Sequence, residues 1–388
     1  MKFLHTADWQ LGKPFARISD PDKAAKVRAE RIEAIRRLGA LVKEHKSDFV
    51  VVAGDLFDSF TAEKSVVSAA CSAMGKIGVP VLAIPGNHDH GGPGGLWEQD
   101  FFRQECESLA PNFRILLERK PVELEGATIF PCPLLRQHES ADPTTWVRDF
   151  DFASLSHPDQ PRILLAHGSV HGFESNSGDD EDGSAGTSNL IALDRLPRAE
   201  LDFIALGDWH GTKAIDPAAW YSGTPETDRF PKGENNDPGN ALLVEVARGK
   251  EADVKKVPTG KLGWQVLDFT FASDEDVNRL EEQLRDLLGT RAGEDLLQLT
   301  LEGSLSIAAA SRLDDLLSTF EARLLRLKEK NLIRLTPSEE EVESLANRPG
   351  DPLISKVAEG LFASAAGTGE EAEVARIALR ELYAACSA

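Results

Sequence analysis

Asp48-Phe49-Val50-Val51-Val52-Ala53-Gly54-Asp55-Leu56-Phe57-Asp58 reads as a buried strand that breaks at a glycine and runs straight into two carboxylates. An unbroken, valine-rich apolar run of this kind suits a central strand covered on both faces. The glycine lets the backbone turn sharply. Ligands of open α/β sheets gather beyond the carboxyl ends of the strands. The stretch therefore predicts a layered sheet with a polar site at its edge.

The same pattern extends outward. Residues 2–6 are a strand candidate. Asp20-Pro21 pairs an N-cap with proline at the first helical position, and Ile35, Leu38 and Val42 mark the inner face of a helix reaching about Lys46. Thr61 is placed to cap a second helix with Val67, Ala70, Met74 and Ile77 on its inner face, and residues 79–84 form the next strand. This β-α-β-α-β order predicts parallel strands with helical crossovers. Later strands are expected at 127–131, 162–166 and 202–206. The strand-rich stretch from Trp220 to about Phe271, including 241–246 and 266–271, is expected in a second sheet packed on the first. Residues 174–189 are acidic and rich in Gly and Ser, as in a solvated surface loop. Beyond residue 272 the expectations are a helix at 274–288, a strand at 296–301, a long amphipathic helix at 307–330, a strand at 331–336 and helices at 353–365 and 370–386. The predicted layout is a domain over 1–272, a small α+β domain over 273–348 and a helical segment over 349–388. No internal repeat is visible.

At 388 residues and 41% hydrophobic, the chain can bury a sizeable core. No run of about 18 apolar residues suggests a membrane span, and the N-terminus lacks the pattern of a secretory signal. Cys71, Cys106, Cys132 and Cys386 are far apart in sequence and form no Cys-x-x-Cys pair, so they read as reduced thiols of a cytoplasmic protein. The net charge of −21 argues against a protein that grips nucleic acid unaided. It fits a salty habitat, or substrate contact mediated by metals or a basic partner.

Five short segments place Asp, His, Asn or Gln just after an apolar strand. They are His5-Thr6-Ala7-Asp8-Trp9-Gln10, Gly54-Asp55-Leu56-Phe57-Asp58, Gly86-Asn87-His88-Asp89, Ala166-His167-Gly168 and Gly207-Asp208-Trp209-His210-Gly211. Converging strand tips of this kind would surround one site with oxygen and imidazole ligands, a set without thiolates that suits Mn, Fe or Mg.

In order and spacing, these segments resemble the signature of calcineurin-like metallophosphoesterases. The resemblance implies an α/β (α+β) fold: a four-layer αββα sandwich of two mixed sheets with a smaller C-terminal α+β capping domain. It implies two divalent metal ions, Mn foremost with Mg or Fe as alternatives. Asp55 would bridge them, Asp8 and His210 would bind the first, and Asn87 and His167 the second. Gln10 and Asp208 stand where that family usually has histidines. Gln10 is either a weak ligand of the first metal or a turn-capping residue, and Asp208 adds negative charge at the second. His88 would approach the scissile phosphate, with Asp58 orienting it. Hydrolysis would proceed by a metal-bridging hydroxide attacking phosphorus in line.

Within the superfamily, residues 3–13, the Ala-Gly-Asp-Leu-Phe-Asp segment and Tyr221-Ser222-Gly223-Thr224-Pro225-Glu226 resemble the bacterial SbcD-type DNA repair nucleases. This likeness implies a DNA substrate, a possible SbcC-type coiled-coil ATPase partner of the SMC kind, docking partly on a C-terminal helical segment, and a possible homodimer. A small-molecule or cyclic-nucleotide phosphodiesterase and a metal-poor scaffold are the competing readings. Among the other histidines, His171 and His90 are either substrate contacts or loop residues, His5 reads as buried and hydrogen-bonded, and His45, His138 and His157 as surface. Trp9 and Trp209 are either core residues or stacking platforms for a base.

Overall fold

The computed structural model describes every residue except 171–187, 232–235, 347–349 and 388. The described chain divides into two units, Met1–Leu262 and Gly263–Ala388.

The first unit is built on two six-stranded mixed sheets. In the first, Lys2–Thr6, Phe49–Ala53, Val81–Ile84 and Phe113–Ile115 run parallel in that order, with helices Pro21–His45 and Lys64–Gly75 between the early strands. Asp20 caps the first helix as expected, its side chain accepting from the backbone N–H groups of Asp22 and Lys23. The second helix begins at Lys64 after Glu63, not at Thr61. The second sheet has the order Lys213–Asp216, Ala219–Tyr221, Phe203–Gly207, Arg162–His167, Ala127–Cys132 and Val122–Leu124.

Val50 and Val52 pack outward against Ile35, Leu38, Val67 and Met74 of the helices. Phe49 and Val51 face inward against Ile129, Ile163 and Phe203 of the other sheet. Leu164, Ala166, Ile204 and Leu206 face a further cluster with Val147, Leu196 and Leu201. The expected layered α/β sandwich of two mixed sheets is present. Its fourth layer is thin, made of short turns such as Thr145–Arg148 and Arg198–Glu200.

Asn240–Glu245 does not join the second sheet. It pairs antiparallel with Lys2–Thr6 in the first, and Asp253–Pro258 pairs with it in turn. Its side chains explain the placement: Ala241 and Leu243 lie in the helix-side core, while Leu242 and Val244 lie between the sheets. A strand apolar on both faces needs cover on both.

Gly263–Phe271 belongs to the second unit, where it pairs parallel with Asp295–Leu305. The boundary between units therefore falls after Leu262, before the expected 272. Arg326–Asn331 is a third parallel strand, so the helix expected over 307–330 ends at Arg323. Helices Asp276–Leu288 and Ile307–Arg323 make the two crossovers. Helices Glu339–Ala346, Pro352–Ala365 and Glu370–Ser387 follow and share a small core of Ile307, Leu345, Ala358 and Leu379 with the rest of that unit. Among the described residues, no helix is long and apolar enough to cross a membrane.

Candidate metal centre

In the first unit, Asp8 follows Lys2–Thr6, Asp55 follows Phe49–Ala53, and Asn87 and His88 follow Val81–Ile84. His167 ends Arg162–His167, and Asp208 follows Phe203–Gly207. These turns are tight. Asp8, Gln10, Asp55 and Asp208 take φ values of 53°, 40°, 53° and 105°, a region that costs a residue with a Cβ roughly 1–3 kcal/mol and is tolerated mainly at functional sites. At Gly86, a Cβ would lie 2.0 Å from Asp55 Oδ1, so only glycine lets that loop close on the carboxylate. Asp89, buried behind it, accepts from the backbone N–H groups of Gly86 at 2.8 Å and Phe57 at 3.1 Å. It thereby fixes both loops.

Asp8, Asp55 and His167 are buried, and each offers an atom within 4.8 Å of the others. His167 Nδ1 lies 2.7 Å from the Ala53 carbonyl oxygen. A carbonyl only accepts, so Nδ1 carries the proton and Nε2 points into the site. There it meets Asn87 Oδ1 at 2.8 Å, Asp55 Oδ2 at 3.5 Å and Asp208 Oδ1 at 3.8 Å. Asp208 Oδ2 accepts from Ser169 Oγ at 2.7 Å, and its backbone N–H donates to Asp8.

Burial works against a charged imidazole, but Asp55, Asp8 and Asp208 lift His167 to about 9. Burial, with the charges of Asp55 and Asp208, pushes the Asp8 carboxyl upward against the pull of His167. A proton on Nε2 thus holds together groups that a cation would hold by exchange. Two carboxylates and an imidazole within reach of one another, with the Asn87 amide oxygen and the Asp208 carboxylate close to His167 and no thiolate among them, suit a hard divalent cation.

The other expected ligands are arranged differently. Gln10 Oε1 accepts from Lys13 Nζ at 2.9 Å, and its Nε2 lies 3.4 Å from His88 Nε2. His210 Nδ1 lies 3.0 Å from Asp228 Oδ2 and 2.9 Å from Arg229 Nη2. Burial, then Arg229, hold the His210 imidazole neutral, down at about 4. Among the described residues, His210 is outside the Asp8–Asp55–His167 group. Gln10 and His210, expected at a first metal, thus have Lys13 and Arg229 beside them.

His88 keeps one edge toward the centre. Its backbone N–H donates to Asp55 Oδ1 at 3.0 Å, and its Nε2 lies 4.0 Å from Asp55 Oδ2. Its Nδ1 is 3.2 Å from the main-chain carbonyl oxygen of Asp58. Beside His88 opens a cleft of about 290 Å³ lined by Asp58, Phe60, Asn87, His90, Gln137 and His138 among others. The rings of Phe60 and His90 stack there at 4.2 Å.

His5 is buried, as expected, with Nε2 3.2 Å from the Leu206 carbonyl oxygen. Trp9 is buried and donates to Thr6 Oγ1, which removes it as a base platform. The Trp209 ring carries Lys213 Nζ at 4.9 Å. His171 and most of the acidic loop lie outside the described residues. Sequence reading missed Lys13, Arg31, Asp228 and Arg229. Arg31 left a signal, since it falls on the inner stripe of its helix with Ile35 and Leu38. Its guanidinium donates to the carbonyls of Asp8, Trp9 and Glu226 and to Thr224 Oγ1.

The model of the calcineurin-like phosphoesterase family matches residues 1–238. A dimetal phosphatase from Danio rerio aligns at 12% identity over 66% of this chain and 98% of that one, with a TM-score of 0.33. Another solved structure aligns at 11% identity over 66% of this chain and 98% of that one, with a TM-score of 0.39.

Proposed function

We propose, since this chain belongs to the calcineurin-like phosphoesterase family, that it is a metal-dependent phosphodiesterase acting on DNA, a nuclease of the SbcD type. The observation that carries the hydrolytic part is the meeting of Asp8, Asp55 and His167 within 4.8 Å of one another at the strand tips. The choice of DNA is supported by the likeness of residues 3–13 and 221–226 to that nuclease family.

Asp8, Asp55, Asn87, His167 and Asp208 would hold the cation, with Mn the first candidate. A divalent cation bound there would polarise a phosphate oxygen and acidify water. Ala53 fixes the His167 ring through Nδ1, and Ser169 fixes the Asp208 carboxylate. The Asp58 carbonyl holds the Nδ1 proton of His88 and leaves Nε2 toward the centre, from which the doubly protonated ring would give its Nε2 proton to the departing oxygen. Asp58 orients His88 in this reading.

A cytoplasmic setting and an SMC-like ATPase partner belong to the same proposal. In the second unit, Leu353, Val357, Val374 and Ile377 on the last helices are exposed, Leu353 at 72%, which supports a partner on these helices. A second reading, a nucleotide-sized substrate, is favoured by the cleft of about 290 Å³ with its stacked Phe60–His90 pair. The test is a Mn-dependent assay on end-labelled single- and double-stranded DNA beside mononucleotides and an aryl phosphodiester. Cleavage of DNA is expected. Turnover of nucleotides without DNA would select the second reading, and turnover of none would sink both.

A further inference from the structure

We propose that Lys13 and Arg229 take the place of one of the two metal ions of the family, so that this chain holds a single divalent cation between Asp8, Asp55, Asn87, His167 and Asp208. The inference rests on the phosphoesterase reading above and specifies its metal content.

The geometry around Asp228 carries it. The Asp228 side chain is fully buried and its Oδ2 accepts from Lys13 Nζ at 2.9 Å. The same oxygen lies 3.0 Å from His210 Nδ1, and Oδ1 lies 3.3 Å from Arg229 Nε. Lys13 Nζ also reaches Gln10 Oε1 at 2.9 Å. Arg229 Nη2 lies 2.9 Å and 3.5 Å from the two ring nitrogens of His210. Two of the three ligands expected at the first metal beside the bridging Asp55, Gln10 and His210, thus each have a protein cation against them.

The substitutions fit together chemically. Glutamine in place of an imidazole leaves a neutral amide oxygen, a weak ligand for a transition metal but a good acceptor for an ammonium. A dication brought to the same place would meet two like charges at close range in a partly buried site. Two fixed protein cations can nevertheless do electrostatically what the missing dication does in its relatives, which is to stabilise negative charge on a phosphoryl group. The Lys13 and Arg229 side chains are 17% and 30% exposed, so both retain an accessible surface. An ammonium has three N–H donors, and the two contacts to Gln10 and Asp228 leave one for a phosphate oxygen.

The test is the Mn stoichiometry of the wild-type chain, from metal analysis after gel filtration, together with its electron paramagnetic resonance spectrum. One Mn per chain with the six-line signal of an isolated ion is expected. Two Mn per chain with an exchange-coupled signal, or none, would overturn the inference. The double variant Gln10→His with Lys13→Ala, verified as folded by circular dichroism, is expected to take up a second Mn. If the folded variant still holds one, Lys13 is not what excludes the second ion. Should the variant not fold, the wild-type stoichiometry decides alone. Diester turnover on the same Mn-loaded sample separates the two readings. One bound Mn without turnover defeats the enzyme and leaves this inference standing, while two with turnover does the reverse.

Discussion

The surroundings of His167 and of His210 are built from similar strand ends, yet they carry opposite balances of charge. At His167, the carboxylates of Asp8, Asp55 and Asp208 surround one imidazole. At His210, Lys13 and Arg229 flank the single carboxylate of Asp228. On the single-cation proposal, the first environment attracts a dication and the second repels one. Matching the ligand types of a motif is therefore not enough to define a metal site. On that proposal, residues outside the motifs, at 13, 228 and 229, decide what the motif residues can hold.

The contrast is most exposed at His88, whose Nε2 lies near both Gln10 and Asp55. His88→Ala should lower turnover of a Mn-loaded diesterase by roughly 10²–10⁴-fold, the range for losing a general acid. Mn affinity measured by calorimetry should stay unchanged. Loss of Mn binding instead would move His88 into the ligand set.

Arg31 ties the Asp8–Trp9 turn to the Thr224–Glu226 segment that leads to Asp228, and so joins the two surroundings. Arg31→Met leaves buried carbonyls without their charged donor and should cost about 3 kcal/mol of stability. Denaturant titration measures this, and a change within about 0.5 kcal/mol, typical of a surface position, would contradict it.

His5 sharpens the contrast through pH. Burial holds its imidazole down at about 3, against an ordinary 6.5. Between those values the unfolded chain binds a proton that the folded chain refuses, so stability falls as pH drops from 6.5 toward 3. His5→Gln should remove about one proton from the slope of unfolding free energy against pH in that window. An identical acid limb in the variant would show that another group titrates there.

Much of the site could be read in advance because it depends on local chain properties. Apolar strands that run into a polar residue announce both the strand and its tip, and this pattern singles out Asp8, Asp55, Asn87 and His167. Pairing between distant segments left weaker traces. Asn240–Glu245 joined the first sheet because both of its faces are apolar, a feature visible in the sequence but read as part of the second sheet. The strand Arg326–Asn331 was absorbed into a helix because its partner, Asp295–Leu305, supplies the pairing that local pattern cannot. Lys13, Asp228 and Arg229 were missed for the same reason, since a salt bridge between positions 13 and 228 has no periodicity to reveal it. In the first unit, Cys71 and Cys106, distant in sequence, likewise come to 3.6 Å from each other.

Comparative Mn titration of two single variants, His167→Ala and His210→Ala, tests the difference between the two surroundings most directly. The account predicts that His167→Ala weakens Mn binding by at least roughly 10–100-fold, as expected when a ligand or its close support is removed. It predicts that His210→Ala binds Mn within about threefold of wild type. Equal weakening in both variants would contradict it, because His210 would then be holding a metal despite Lys13 and Arg229.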